Sequence, residues 1–224
     1  MKNKEDANGS VNTNYNTKEV IMAAAKLQFF EEGYFKTTIA NIFKEINIPM
    51  GVFTYHYKTK DNLISEIFTQ YYSEISKLIE RSFTVPPSQS FLKHMLISRI
   101  FYRIILENEK NARFYYEVIH DKSSYRFFKN VVIPKHRGLL KEFNVLVTEE
   151  EFQSIVVMGS GARREFFLSY FENNIKMSVN QVVNLLESIV PRMLKIDQNL
   201  IDSILLKSID LADSLDYSEI KFLV

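Results

Sequence analysis

The sequence predicts an all-α protein of about nine or ten helices, in which a small unit of three helices precedes a larger helical bundle. Apolar residues recur at three- and four-residue spacing through most of the chain, and no useful stretch alternates as a strand would. Only six glycines and five prolines occur in 224 residues, which disfavours the turn-dense all-β folds.

The N-terminal unit opens with a polar segment and one amphipathic pattern. Residues 1–16 are polar and rich in Asn, and they predict a disordered arm. The first helix is expected to begin near Thr17, a suitable N-cap. It is expected to end near Gly33, where a left-handed C-cap fits.

Two shorter helices follow, separated by a proline. Thr37 or Thr38 can cap the second helix. Pro49 ends it, because the residue before a proline is pushed out of the α region. Pro49 also suits the first position of a third helix, which is expected to reach about Tyr57.

The body is predicted as a series of longer helices. The fourth helix runs from about Lys60 to Phe83, and Val85-Pro86-Pro87 breaks the chain after it. Pro134 and Pro191 should kink or split two of the later helices. Further helices are expected at about 88–107, 111–120, 123–143, 149–172, 179–195 and 198–213. The predicted domains are an arm at 1–16, a helix-turn-helix domain at 17–62, a body at 63–213 and a weakly ordered tail at 214–224.

Composition excludes several classes of protein. The formal net charge is +1, which argues against a polybasic nucleic-acid binder but not against one small basic surface. No cysteine is present, so disulfides, zinc-thiolate sites, iron–sulfur clusters and cysteine nucleophiles are excluded. No long uncharged apolar run and no apolar leader segment is visible, and we expect a soluble cytoplasmic protein.

The spacing of the second and third helices suggests a helix-turn-helix, with a turn at Asn47-Ile48-Pro49. In that motif one helix braces against the DNA backbone while the next lies in the major groove. Phe53 is the natural residue to bury against the second helix. The groove face would then carry Met50, Val52, Thr54 and Tyr55.

The stretch from Ile21 to Leu63 carries many signature positions at fixed spacing, without a gap. They are Ile21-Met22, Ala24-Ala25, Phe29, Glu31, Gly33-Tyr34, Thr37-Thr38-Ile39, Ile42, Ile48-Pro49-Met50-Gly51-Val52-Phe53, His56-Tyr57, Lys60 and Leu63. This stretch, about a fifth of the chain, resembles the DNA-binding module of the TetR-type transcriptional regulators.

The resemblance implies a role in DNA binding for ten residues. Threonines at a helix N-terminus would contact phosphate, Gly51 would allow close backbone approach, and Lys60 would anchor the backbone. Three positions depart from the family pattern, with Thr54 for the usual Tyr, Pro49 for Ser and Asn47 for Gly. The expected DNA-binding residues are Thr37, Thr38, Pro49, Met50, Gly51, Val52, Thr54, Tyr55, His56 and Lys60.

Charge is distributed as this role requires. Between Gly33 and Lys60 the sequence holds four lysines and one glutamate, whereas residues 1–83 are neutral overall. Positive charge is therefore concentrated on the predicted groove-facing unit, which predicts a few phosphate contacts per subunit and a salt-dependent affinity.

The body is rich in neighbouring aromatic residues, most of which we expect in its core. Adjacent residues on a helix cannot share one face, so some are expected to line a mostly apolar cavity. The resemblance implies that such a cavity holds an inducer or corepressor, a small apolar or amphipathic molecule. The candidates are Tyr102, Phe114, Tyr115, Phe128, Arg163 and Phe167.

The glycines of the segment 158–164 are interpreted as sites of close helix packing, because a phosphate loop would need a Gly-Lys-Ser/Thr ending and a preceding strand. The resemblance implies a homodimer through the helices at about 149–172 and 179–195, joined as a four-helix bundle. Such a dimer can bind a palindrome with two recognition helices. The helix at 198–213 is additional to the usual set, and its role is left open.

The first hypothesis is therefore a ligand-responsive, dimeric DNA-binding repressor. Two alternatives stay open: a protein-interaction module that keeps the fold without operator recognition, and a small-molecule-binding helical protein without regulation. An enzyme is not predicted, because His94, His120 and His136 are isolated and no catalytic motif accompanies them. No cofactor, metal or membrane partner is expected.

Overall fold

The computed structural model describes residues 10–172 and 175–224; for residues 10–16, 87 and 122–131 it describes the backbone alone. Within that part of the chain it contains ten α-helices, one short 3-10 turn and no strand. The predicted all-α fold is confirmed.

Four helices form or adjoin the N-terminal unit: α1 Ser10–Lys36, α2 Ile39–Ile46, α3 Gly51–His56 and α4 Lys60–Ser82. The helix α1 begins seven residues before the predicted start at Thr17. Polar residues without periodicity extend it, because propagation adds one hydrogen bond per residue to a helix already fixed by packing. Residues 1–9 of the predicted arm lie outside the described part of the chain.

The body consists of six further helices after a 3-10 turn at Pro87–Gln89: α5 Ser90–Leu106, α6 Glu109–His120, α7 Lys122–Glu142, α8 Glu149–Phe171, α9 Val179–Met193 and α10 Gln198–Asp213. The starts of α8 and α9 agree with prediction because Thr148 and Ser178 form capping boxes there. Pro134 and Pro191 were predicted to kink or split their helices, and they do not split them, since α7 and α9 are each continuous. Pro191 lies in the last turn of α9, where few helical bonds follow it.

The helix α5 is the centre of the body. It packs against α4, α6, α7, α9 and α10, and eleven of its seventeen residues are buried. A helix that is apolar on most sides needs partners all round, which explains why the body wraps around it.

The helix α10, whose role the sequence left open, is fixed to α5 by a buried arginine. The guanidinium of Arg99 donates to the Ser208 hydroxyl at 2.8 Å and to the Leu205 carbonyl at 2.9 Å, both on α10. It also donates to the side-chain oxygens of Asn180 and Asn184 on α9. Arg99 thus ties α5, α9 and α10 together with neutral acceptors.

The segment 214–224 is not the weakly ordered tail that was predicted. Phe222 is fully buried, with its ring centroid 4.8 Å from that of Tyr71 and 5.0 Å from that of Phe68. The prediction failed because the apolar residues of this segment are not spaced as in a helix, so no periodicity marked them. They add to one continuous core that runs from Ile21 to Leu223 and joins the N-terminal unit to the body.

Candidate nucleic-acid interface

The helix α3 has one buried face and one exposed face. Phe53 and Tyr57 point inward, and the Phe53 ring meets that of Phe43 edge-on at 5.9 Å, which fixes α3 against α2. Gly51, Thr54 and Tyr55 are exposed, so that positions i, i+3 and i+4 share the outer face of α3. Tyr55 is 74% exposed. The outer face of α3 therefore presents a hydroxyl and a phenol to solvent, and the exposed Lys58, two residues past the end of the helix, adds an amine beside them.

Helix N-termini add hydrogen-bond donors beside this face. Thr38 is exposed and caps α2, and its side-chain oxygen accepts a hydrogen bond from Asn41 N at 3.1 Å. Thr59 caps α4 in the same way through Asn62 N. Because each hydroxyl only accepts in these bonds, its own proton stays available to an anion such as phosphate.

Other predicted DNA-binding residues are exposed at the turn. Pro49 is exposed, Met50 is half-exposed, and no other side chain or distant backbone lies within 4 Å of a Cβ built on Gly51. Lys44 on α2 and Lys58 are also exposed. The turn and the outer face of α3 thus form one exposed surface.

Three predicted residues do not belong to that surface. Gly33, with φ 82° and ψ 177°, bends α1 before its last turn and leaves carbonyls that need donors. Thr37 is only 1% exposed and donates its hydroxyl to the Gly33 carbonyl at 2.6 Å. Val52 is half-buried and packs on the core. His56 is also half-buried, with its ring 5.0 Å from that of Tyr55. The Thr37 hydroxyl is therefore engaged within the protein and does not face the exposed surface.

Lys60 is engaged within the protein. Its ammonium donates to the Tyr34 carbonyl and lies 3.8 Å from the centroid of the Tyr34 ring. Burial lowers the pKa of Lys60, against the opposing effect of Asp121 and Asp61. Lys60 joins the start of α4 to the end of α1, which is a different role from the backbone anchor that the family resemblance implied.

Hydrogen bonds from α6 hold the C-terminal end of α1. The guanidinium of Arg113 donates to the carbonyls of Phe30 and Glu31 at 2.9 and 2.8 Å. The carboxylate of Glu117 accepts from Phe35 N at 2.9 Å. We call Phe30, Glu31, Phe35, Arg113 and Glu117 the α1–α6 joint. It connects α6 of the body directly to the N-terminal unit.

The aromatic candidates for an effector cavity are packed core residues. The ring centroids of Tyr102 and Phe167 are 5.1 Å apart, and those of Tyr115 and Phe167 are 5.3 Å apart. Phe114 is fully buried against Phe29 at 5.0 Å. The side chain of Phe128 lies outside the described side chains. The described rings therefore pack against one another in the core.

Two surface cavities formed by described residues lie elsewhere. One of about 430 Å³ is lined by charged residues of α4 and by Glu219 and Ile220. Another, of about 250 Å³, lies at the end of α4 beside Phe83 and Lys93. Neither includes the predicted aromatic candidates.

Arg163, the polar candidate, belongs to a buried cluster that the sequence did not reveal. Its guanidinium forms two hydrogen bonds to the Glu187 carboxylate, at 2.9 and 3.0 Å, and a third to the Tyr102 hydroxyl at 3.2 Å. His94 Nε2 lies 2.7 Å from the second carboxylate oxygen. His136 stands edge-on to His94 with ring centroids 6.1 Å apart. Two of the three histidines that are isolated in the sequence, His94 and His136, therefore meet in the fold.

Burial and charge shift the ionisation of this cluster. Burial raises the pKa of Glu187, but Arg163 and His94 outweigh that effect and hold this pKa well below its usual value. Burial lowers the pKa of Lys135, which precedes His136 on α7, to about 7. It also lowers the pKa of His136 to about 3. Glu187 is thus ionised, while the imidazole of His136 is neutral.

An exposed stripe of small and apolar residues follows one side of α8. Val157 and Met158 are about half exposed, and no atom outside the helix lies within 4 Å of a Cβ built on Gly161. On the opposite side, a Cβ on Gly159 would lie 2.6 Å from Val190 of α9. Close packing explains Gly159, as predicted, but Gly161 faces outward on the exposed stripe, which consists of Ser154, Val157, Met158, Gly161 and Ala162.

The described helices include none long and apolar enough to cross a membrane. Within the same part of the chain, no group of three or more His, Asp or Glu side chains is arranged to hold a metal ion.

Comparison with known proteins shows which proteins this chain is similar to. Residues 21–67 match the family model described as bacterial regulatory proteins, tetR family. The chain is 25% identical over 142 residues to the probable HTH-type transcriptional regulator YttP of Bacillus subtilis (strain 168), a match that spans 61% of this chain and 66% of that protein. A TetR-like transcriptional regulator from Rhodococcus sp. RHA1 superposes with a TM-score of 0.42 and 17% identity, over 80% of this chain and 96% of that one. The family match covers most of the α1–α4 unit that carries the exposed helix-turn-helix, so this unit is similar to the DNA-binding module of the tetR family of bacterial regulatory proteins.

Proposed function

We propose that the protein is a ligand-responsive repressor that binds a palindromic operator as a homodimer, in the cytoplasm and without a catalytic step. The observation that supports this proposal is the outer face of α3, where Gly51, Thr54 and Tyr55 are exposed at helical spacing within the module that the family model matches. Lys58 is exposed just past the end of this helix. A short helix held by its inner face and exposed along its outer face is suited to the major groove.

We divide the exposed residues by the chemistry they offer. Tyr55 and Thr54 lie on the groove face and are assigned to base edges. Thr38, Lys44 and Lys58 lie at its border and are assigned to phosphates. Thr54 stands where relatives carry Tyr and has a shorter reach, so Tyr55 has the main part in sequence discrimination.

The first prediction separates these two roles. Tyr55→Ala should lower affinity for the preferred DNA about tenfold and relax base preference, because a base contact is removed. Lys44→Ala should weaken binding to all DNA sequences alike, because a phosphate contact is removed. The slope of log affinity against log salt concentration should fall by about one per subunit. The preferred DNA is selected from a random double-stranded library, and affinities are measured by fluorescence anisotropy at several salt concentrations.

Lys207→Ala is the matched control, since Lys207 is an exposed lysine on α10 in the body. It should change neither affinity nor slope. If the folded dimer enriches no DNA sequence from the library, the proposal is contradicted. That result would favour a protein-interaction module that keeps the fold. Equal effects of Tyr55→Ala and Lys44→Ala on base preference would contradict the division of roles.

We assign the dimer interface to the exposed stripe of α8 with Leu185 of α9. Leu185 is 39% exposed, and burying such a patch of apolar side chains against a second copy is favourable. The outward Gly161 permits close approach of the two copies of α8. Two recognition helices held about 34–36 Å apart would then reach successive major grooves on one face of the DNA.

The second prediction tests this interface. Gly161→Arg should convert the dimer to a monomer with unchanged helix content, because nothing within the chain lies against this position. Operator affinity should fall at least tenfold, since one subunit makes only half of the contacts. Sedimentation velocity measures the first effect and anisotropy the second. Ser203→Arg on the exposed side of α10 is the matched control and should stay dimeric; a fully dimeric Gly161→Arg protein would show that the interface lies elsewhere.

Regulation is assigned to the α1–α6 joint. An effector bound in the body that displaced α6 would move Arg113 and Glu117, and with them the end of α1. Displacing one N-terminal unit relative to its copy changes the spacing of the two α3 helices, which couples the two sites.

A further inference from the structure

Lys135 is a cation placed among buried groups without an anion of its own. It is half-buried on α7, and its ammonium lies 3.9 Å from the centroid of the Tyr72 ring on α4. Among the side chains that the structure describes, no carboxylate lies within ion-pair distance of it. A cation–π contact stabilises such a charge only partly.

Two buried imidazole nitrogens beside it also have no partner. In the described part of the chain, Nδ1 of His94 and Nδ1 of His136 are buried without a hydrogen bond. His136 is only 3% exposed. Buried polar atoms in native proteins nearly always have a partner, so an unsatisfied pair in one place indicates a group that belongs there.

The one carboxylate of the cluster cannot supply what is missing. Glu187 receives two hydrogen bonds from Arg163 and one from His94, which occupy both of its oxygens. The charges of Glu187 and Arg163 cancel, so below a pH of about 7 the cluster is left with the positive charge of Lys135. Lys135, and His136 when its Nδ1 carries the proton, therefore lack an anionic acceptor.

The surroundings of the cluster are apolar. Phe91 and Met95 on α5 flank His94 in sequence, Leu139 lies one turn after His136, and Val190 lies one turn after Glu187. All four are buried and belong to one apolar cluster. An anion that enters here is best accommodated when the rest of the molecule is hydrocarbon.

We propose that His94, Lys135 and His136 bind the carboxylate of a small organic acid with an apolar body. Lys135 supplies the charge, and Nδ1 of His136 donates a hydrogen bond to the carboxylate. Because Nε2 of His94 donates to Glu187, Nδ1 of His94 can also donate only when that imidazole takes up a proton. The inference rests on the proposed function, since this acid would be the effector, and it names the effector's chemical class.

The proposal predicts how affinity depends on pH. The groups that face the site are Tyr72 on α4, His94 on α5, Lys135 and His136 on α7, Arg163 on α8 and Glu187 on α9. With the pKa of free Lys135 at about 7, the amine is charged below that pH and neutral above it. The affinity for a carboxylate should therefore fall about tenfold for each pH unit above 7. The fall should continue until the pH reaches the pKa that Lys135 has in the complex.

The test uses the full-length protein and a panel of straight-chain carboxylates from acetate to decanoate, with benzoate and the matched primary amides. Isothermal titration is done at pH 6.5 and 8.5, in two buffers of different ionisation enthalpy at the higher pH. We expect a carboxylate to bind more tightly than its amide, by tenfold or more at the lower pH. We also expect the protein to take up about one proton when the carboxylate binds at the higher pH.

Variants identify the residues. Lys135→Met should abolish the preference for carboxylate over amide, whereas Lys135→Arg should retain much of it. Lys141→Met, an exposed lysine on the same helix, should leave it unchanged. His136→Leu should lower carboxylate affinity about tenfold and His136→Asn by less, because the amide keeps a donor near Nδ1. If Lys135→Met does not fold, the two His136 variants test the proposal in its place.

Each outcome has one reading. No carboxylate binding, or equal binding of acid and amide, overturns the inference, and so does a preference that survives both Lys135→Met and His136→Leu. The DNA experiments above decide the proposed function separately. A protein that binds its operator but no carboxylate refutes only the inference, and one that binds carboxylate without any change in DNA affinity refutes the regulatory role.

Discussion

Glu187→Ala is expected to lower the free energy of unfolding by about 3–5 kcal/mol, because it leaves Arg163 buried without its counter-charge. The Glu187 side chain is fully buried, and Arg163 and His94 bind both of its oxygens. Removing the carboxylate also leaves the donors of Arg163 and His94 unsatisfied in the core. Urea denaturation followed by circular dichroism at neutral pH measures the change.

A double-mutant cycle separates the ion pair from its packing. Replacing both partners, as Arg163→Met with Glu187→Met, should cost clearly less than the two single replacements together, because no lone charge is left buried. Glu165→Ala, at an exposed position of α8, is the control and should change stability by less than about 0.5 kcal/mol. A loss below about 1 kcal/mol for Glu187→Ala would show that water or another group replaces the carboxylate.

Gly33→Ala should be the next most damaging substitution, with a loss of about 3 kcal/mol in unfolding free energy. Gly33 has φ 82° and ψ 177°, a conformation that is essentially restricted to glycine. A Cβ would also lie 2.6 Å from a Glu117 carboxylate oxygen, and that carboxylate is held by Phe35 N. Moving Glu117 aside would break the α1–α6 joint, so operator affinity should fall with stability.

Gly51→Ala is the matched control for stability. Its Cβ would meet nothing within 4 Å, and its φ is not positive. We expect unfolding free energy within about 0.5 kcal/mol of the parent and, if the α3 face binds DNA, a loss of affinity. Unchanged stability in Gly33→Ala would contradict the assignment of strain at the bend, and the Glu117→Ala background tests whether the side-chain clash contributes.

The helix pattern was predictable where its signals are local. Thr148 and Ser178 set the starts of α8 and α9 through side chains three residues away, and Thr38 caps α2 as one of the two predicted threonines. Local signals were insufficient for the start of α1 and for the segment around Phe222. In both, contacts with distant elements stabilise residues whose own pattern is weak.

The candidate site was predictable in part for the same reason. Helical spacing identified Thr54 and Tyr55 correctly as exposed, but it placed the half-buried Val52 on the same face. It did not identify the exposed Lys58, which lies past the end of α3. The positions of Thr37 and Lys60 depend on the carbonyls freed at the bend of α1, which the sequence does not reveal. The cluster around Glu187 draws residues from four helices, so only the tertiary packing brings it together.

The position of Phe222 in the core has a consequence for synthesis of the protein. Its ring contacts Phe68 of α4 and Phe114 of α6, and Phe114 in turn contacts Phe29 of α1. A chain emerging from the ribosome exposes the N-terminal unit first, yet the aromatic layer behind that unit lacks one ring until residue 222 has emerged. Until then the nascent chain carries an open apolar surface beside Phe68 and Phe114, and the packing behind the N-terminal unit is completed only when residue 222 reaches it.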